Sequence, residues 1–157
     1  LNSILKICEI VSNQKMKLII KLHPTFDILN ISKTVQEKFP NIQVIEKGDI
    51  NSLIRKCSCL IVTGFSTVIV QGQILQKPII SIPLIDYNWG KPSVYTENSC
   101  LLIKLEELNL NLKKIHDDPI FKNQLIKNGN IFLKNCLKNK NDSSKIIWNY
   151  IKNMNID

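Results

Sequence analysis

Residues 59–83 read Cys-Leu-Ile-Val-Thr-Gly-Phe-Ser-Thr-Val-Ile-Val-Gln-Gly-Gln-Ile-Leu-Gln-Lys-Pro-Ile-Ile-Ser-Ile-Pro. Leu60 to Val62 is a short apolar run of the kind a strand buried on both faces needs. Gly64 allows a sharp turn. Ser66 or Thr67 can then cap a helix by accepting from its unpaired N–H groups. Pro78 lacks an N–H and disfavours helix in the residue before it, so the helix is expected to end at Gln76-Lys77. Ile79 to Ile82 follows as a second strand. The unit is strand, glycine turn, helix, strand. Its first turn gathers hydroxyls and free amides at a helix N-terminus, a place suited to an anion such as a phosphate.

Upstream, the same rhythm holds. Residues 3–12 place Ile4, Leu5, Cys8 and Val11 near one face, as in an amphipathic helix. Lys17 to Leu22 reads as a strand and ends at His23-Pro24, where proline stops the ladder. Ile28 to Phe39 reads as a helix, and Ile42 to Ile45 as a strand. Asp49 or Asn51 caps a short helix reaching Lys56. Alternation of this kind predicts an α/β fold, a doubly wound parallel sheet with helices on both faces. Four strands precede residue 83, and Leu101 to Ile103 is a candidate fifth.

Pro83 to Ser99 is a long connection with Asp86, Tyr87, Trp89, Lys91 and Tyr95. It follows a strand's C-terminal end, where open α/β sheets bind ligands, and it either takes part in a site or packs over the sheet. Beyond Leu105 the chain turns helical. One helix runs to Ile115 and another starts at Asp118-Pro119. Asn128-Gly129-Asn130 is expected to break that helix, with a further one over Ile131 to Leu137. Asp142 or Ser143 caps a last helix carrying Ile146, Ile147, Tyr150, Ile151 and Met154.

The bulk composition bounds the class. The chain has 157 residues, of which 44% are hydrophobic and 22% charged. That is enough for one domain with a real core, and we read residues 1–157 as a single domain. No apolar run is long enough to cross a bilayer, and no signal segment opens the chain, so a cytoplasmic location is expected. The chain begins at Leu1 with a helix where a doubly wound domain begins with a strand, which reads as a fragment of a longer protein. Net charge is +8. A Lys-rich surface accounts for it, and so does attraction to phosphates or to an anionic membrane face. Nucleic acid is disfavoured: no zinc-finger spacing or aromatic RNA-binding signature is present, and Arg55 is the one arginine. The five cysteines, Cys8, Cys57, Cys59, Cys100 and Cys136, have no metal-binding or redox spacing and are expected to be reduced. Two glycosylation sequons, at Asn30 and Asn141, are expected chance matches in so Asn-rich a chain.

Among residues that could do chemistry, His23 stands at a strand's C-terminal end, placed to act as a base or to donate to a phosphate. The alternative is a histidine that caps the strand by bonding to backbone. His116, beside Asp117 and Asp118, suits a contact with a helix dipole. Neither has partners at metal-ligand spacing, so no metal and no cofactor is expected. Gly64-Phe-Ser66-Thr67-Val lacks the second glycine of a nucleophile elbow, and neither a Walker loop nor a Gly-x-Gly-x-x-Gly fingerprint occurs. Gln71, one helical turn past the Ser-Thr pair, either meets a ligand hydroxyl or faces solvent.

Taken together, Lys21-Leu-His23-Pro24 after a strand, then Thr63-Gly-Phe-Ser66-Thr67-Val before a helix ending in Lys77-Pro78-Ile-Ile, resemble the C-terminal half of GT-B-type glycosyltransferases. The likeness is greatest to the capsule polysaccharide, polysialyltransferase and CDP-glycerol glycerophosphotransferase group, and it covers roughly residues 1–105. The resemblance implies a Rossmann-like domain, half of a GT-B fold, that binds a CDP-, UDP- or CMP-linked donor for synthesis of a surface polysaccharide or a teichoic-acid-like polymer. It implies a second, N-terminal domain as partner, carrying the acceptor site; the positive charge of the chain suits a peripheral place at the inner face of the membrane. By the same resemblance His23 is the catalytic residue, steadying the leaving diphosphate. Pro24, Gly64, Ser66, Thr67 and Gln71 line the donor site. The family carries Glu where this chain has Gln71, and Gln can still hydrogen-bond a hydroxyl, without charge. A UDP-N-acetylglucosamine 2-epimerase-like enzyme shares the fold but favours Asp-Ser-Gly-Gly and paired glutamates at these positions. A non-catalytic nucleotide-sugar-binding module is the third reading.

Overall fold

The computed structural model describes residues 1–23, 30–64, 66–84, 93–136 and 143–153. The architecture is mixed α/β with parallel strands. In chain order it comprises α1 (Asn2–Asn13), β1 (Ile19–Lys21), α2 (Ile31–Lys38), β2 (Gln43–Ile45), α3 (Ile50–Lys56), β3 (Leu60–Val62), α4 (Val68–Ile74), β4 (Ile79–Ser81), α5 (Ser93–Thr96), β5 (Leu101–Leu102), a 3₁₀ turn (Leu105–Glu107), α6 (Leu108–Asp117), α7 (Pro119–Cys136) and α8 (Ser143–Asn153).

The strands do not form one sheet. Among the described residues, β1 pairs with β2 in a two-stranded sheet, while β3, β4 and β5 form a second in that order. Every pairing is parallel, with Ile20 opposite Val44 in the first sheet and Ile61 opposite Ile80 in the second. The single doubly wound sheet read from the sequence is therefore two smaller ones. Apolar runs specify strands, but a run of three residues carries no signal for which neighbour it pairs with.

Alternate residues of a strand face opposite ways. In the second sheet Ile61, Ile80, Ile82 and Ile103 turn to a cluster with Ile7 and Val11 of α1, Leu108, Leu112 and Ile115 of α6, and Leu125 of α7. Leu60, Val62 and Ile79 turn the other way, toward Ile69 of α4 and Tyr95 of α5. A third cluster joins Cys8 of α1 to Val35 and Ile42, with Ile20 and Val44 of the first sheet against it. Helix α1 thus serves both sheets, with its neighbouring residues Ile7 and Cys8 in different clusters.

Local chemistry explains the helix ends. Asp49 accepts from the N–H groups of Asn51 and Ser52, both at 3.0 Å, and starts α3. Asp118 accepts from Ile120 and Phe121 at 2.9 Å and starts α7, with Pro119 in the first turn as expected. Helix α4 stops at Ile74, short of the expected Gln76-Lys77. Gln76 takes a left-handed conformation (φ 54°). Gln76 N–H then bonds Gln73 O, and Lys77 N–H bonds Gly72 O, closing the helix before proline is reached. The Lys77 ammonium donates to Arg55 O and Cys57 O, both at 2.8 Å, satisfying carbonyls at the end of α3.

Helix α7 also departs from expectation. It runs unbroken through Asn128-Gly129-Asn130. Gly129 is buried, and a Cβ there would stand 3.0 Å from Gln73 Cγ. The glycine allows α7 to lie close on α4, and that packing outweighs its weak helix propensity.

Candidate functional site

The turn after β3 is the centre of the candidate site. Gly64 has φ 132°, a conformation that residues with a side chain rarely adopt. It redirects the chain from β3 toward α4. Ser66 and Thr67 follow, both exposed. The Ser66 hydroxyl accepts from Val68 N–H at 3.2 Å. Thr67 holds the N-cap position of α4 but its side chain makes no capping bond. The cap therefore comes from Ser66, and Thr67 Oγ1 is not used for it.

Fewer amides are open here than the sequence suggests. Val68 N–H goes to Ser66 Oγ, Ile69 N–H to Ser66 O, and Val70 N–H to Thr67 O. A ligand at this turn would meet chiefly the two hydroxyls and the N–H groups of Ser66 and Thr67.

Gln71 lies one turn into the helix, and its own N–H bonds Thr67 O at 3.3 Å. At about 100° per residue, Thr67 and Gln71 share one side of α4. Ile69, Gly72 and Gln73 form its packing side. The Gln71 side-chain oxygen is nevertheless buried and, like the Gln73 oxygen on the packing side, has no hydrogen-bond partner among the described residues. A buried acceptor left unpaired costs about 1–3 kcal/mol. Of the two alternatives for Gln71, this atom does not face solvent.

Beneath the turn lies a chain of hydroxyls. Tyr95 Oη donates to Gly64 O at 3.2 Å and accepts from Ser81 Oγ at 3.1 Å. Ser81 is fully buried in β4. Burial pushes the Tyr95 phenol above its usual range, so it stays a donor at neutral pH. Tyr95 comes from α5, at the far end of the long connection, and fixes that connection to the glycine turn. Close by, Gln73 Nε2 donates to Ser99 O at 3.1 Å and Ser99 Oγ at 2.9 Å, joining α4 to the approach to β5. The sequence marks the connection that carries Tyr95, but nothing local in it gives Tyr95, Ser81 or Gln73 a role.

His23 is exposed, two residues past the end of β1. Its strand belongs to the first sheet, and the glycine turn belongs to the second. Strand pairing therefore does not itself bring His23 to Ser66 and Thr67. Pro24 lies outside the described residues, as do residues 85–92 of the long connection. His116 is exposed in the last turn of α6.

Among the described residues no three His, Cys, Asp or Glu side chains gather to hold a metal ion. Burial pushes the Cys59 and Cys100 thiols up to about 12, which keeps them protonated and poor nucleophiles. An open depression beside α2, bordered by Asn30, Lys33 and Glu37, lies away from the glycine turn and holds none of the expected site residues. No described helix is long and apolar enough to cross a membrane. No model of a known protein family matches the chain, and no curated protein matches it.

Proposed function

We propose that this chain is the donor-binding, Rossmann-like half of a GT-B-type transferase, taking a nucleotide-activated sugar or polyol phosphate for surface-polymer synthesis. The observation that carries the reading is the unpaired, buried Gln71 oxygen one turn past Ser66 and Thr67. A ribose or sugar hydroxyl would supply the missing donor, while the two side-chain hydroxyls and their N–H groups would meet the diphosphate. Parallel strands alternating with helices, and a glycine turn at a strand's C-terminal end, support the same reading. In this scheme His23 acts on the leaving diphosphate from the end of β1. That role requires the strand end and the glycine turn to meet across the bound donor, with the acceptor held by a partner domain.

Calorimetry with CDP, UDP and CMP tests the donor site. One of the three is expected to bind, and Gln71→Ala is expected to weaken it by about 1 kcal/mol or more, the scale of one hydrogen bond to a buried group. Failure of all three to bind, in the chain joined to its partner domain, would sink the proposal.

A second reading, a binding module without turnover, draws on the internally paired amides of Val68, Ile69 and Val70, which leave a weaker anion cradle. The joined protein separates the two. Under the first reading His23→Ala abolishes transfer while the protein stays folded. Under the second there is no transfer to lose.

A further inference from the structure

Helix α8 is amphipathic, and its apolar side is exposed. Ile146, Ile147, Trp148, Tyr150 and Ile151 are 48%, 59%, 58%, 70% and 47% exposed. Every other described side chain of the helix is exposed as well. At about 100° per residue, Ile146, Tyr150, Ile147, Ile151 and Trp148 succeed one another around one broad arc. The opposite arc holds Lys145, Asn149 and Lys152.

We propose that α8 lies flat on an anionic lipid surface, with this arc sunk into the boundary between headgroups and acyl chains. The charge pattern favours lipid over a protein groove, and the aromatic residues suit a membrane boundary. The only charges on α8 are the two lysines, and there is no carboxylate. Lysine is depleted in protein interfaces but favoured beside anionic lipid. Trp148 and Tyr150 are the residues that settle at a membrane boundary, where one part of the ring is dry and another wet. Lys152 Nζ stands 5.8 Å from the centre of the Trp148 ring, so a cation and an indole flank the same edge of the apolar arc. The helix is 11 residues long, about 16 Å, so it can rest on a bilayer but not span one. The net charge of +8 adds attraction of the same sign.

This inference rests on α8 alone and stands or falls independently of the donor site. It is tested by co-sedimentation of the full chain with phosphatidylcholine vesicles, with and without about 30 mol% phosphatidylglycerol, at about 0.1 M salt. Binding is expected to the anionic vesicles and to be much weaker to phosphatidylcholine alone. Ile147→Asn/Ile151→Asn is expected to weaken it about tenfold or more by removing apolar contact. Lys145→Gln and Lys152→Gln are expected to cost about fivefold each. Because α8 is exposed along its length, these variants should keep the circular dichroism of the parent chain. No binding to anionic vesicles overturns the proposal, as does equal binding to both kinds. Binding unchanged by Ile147→Asn/Ile151→Asn would assign it to the general positive charge rather than to α8. Self-association in vesicle-free solution that the same pair abolishes would make a second copy the occupant.

Discussion

The phenol of Tyr95 reaches back 31 residues to donate to the carbonyl of Gly64 at 3.2 Å. That one bond fixes the outer end of the long connection to the turn on which the candidate donor site is built. Tyr95→Phe keeps the ring but removes the hydroxyl that Gly64 O and the buried Ser81 Oγ both use. The variant is expected to lose about 1–3 kcal/mol of stability. Under the proposed donor reading it should also weaken nucleotide binding, because the turn loses its tie to α5. Urea denaturation checks the first effect and calorimetry the second. An unchanged unfolding midpoint would show that the bond contributes nothing.

Gly72 sets how closely α4 approaches the second sheet. A Cβ there would lie 2.7 Å from Leu60 Cδ2 and 2.9 Å from Ile79 Cδ1, both side chains of the sheet face under the helix. Gly72→Ala gains about 1 kcal/mol of helix propensity but meets an overpacking cost of about 1–3 kcal/mol. The net expectation is a lower unfolding midpoint, with partial rescue when Leu60→Val removes the nearer methyl. A midpoint raised by Gly72→Ala alone would contradict the close packing.

Acid should loosen α3 through its cap. The Ser52 hydroxyl, then the N–H groups of Asn51 and Ser52, hold the Asp49 carboxyl below its ordinary value of 3.8. A carboxylate whose folded value is lowered contributes stability above its unfolded value, and loses that contribution as pH falls through the folded one. Asp49→Asn keeps an acceptor but removes the charge. The parent chain should therefore be more stable than the variant at neutral pH, and the gap should close as pH falls below 3.8. Urea midpoints of both proteins along that pH series measure it. A gap independent of pH would mean that the charge is not what caps the helix.

Local signals carried much of this fold. Asp49 and Asp118-Pro119 start helices where a capping carboxylate and an N-terminal proline predict, and Gly64 turns the chain where a glycine is needed. Contacts distant in sequence were not legible. Gln76 adopts a left-handed conformation with no glycine to announce it, which ends α4 early. Asn128-Gly129-Asn130 has the composition of a turn, but Gly129 faces Gln73 and Ser99 across a close helix contact that no local pattern encodes. The hydroxyl chain from Ser81 through Tyr95 to Gly64 joins three segments, and each residue alone is unremarkable. The pairing of the strands was the least legible feature, because parallel neighbours are chosen by the packing of whole helices across them.

The two sheets leave α1 with an unusual duty. Among the described residues no strand of one sheet bonds a strand of the other, so α1 side chains, with Leu18 beyond the helix, are the apolar mortar between two hydrogen-bonded blocks. Cys8 belongs to one block, and Ile7 and Val11 to the other. Cooperativity between the described blocks is then set by these apolar contacts rather than by a backbone ladder. Weakening Cys8 would let β1, α2 and β2 melt ahead of the rest, turning one unfolding transition into two.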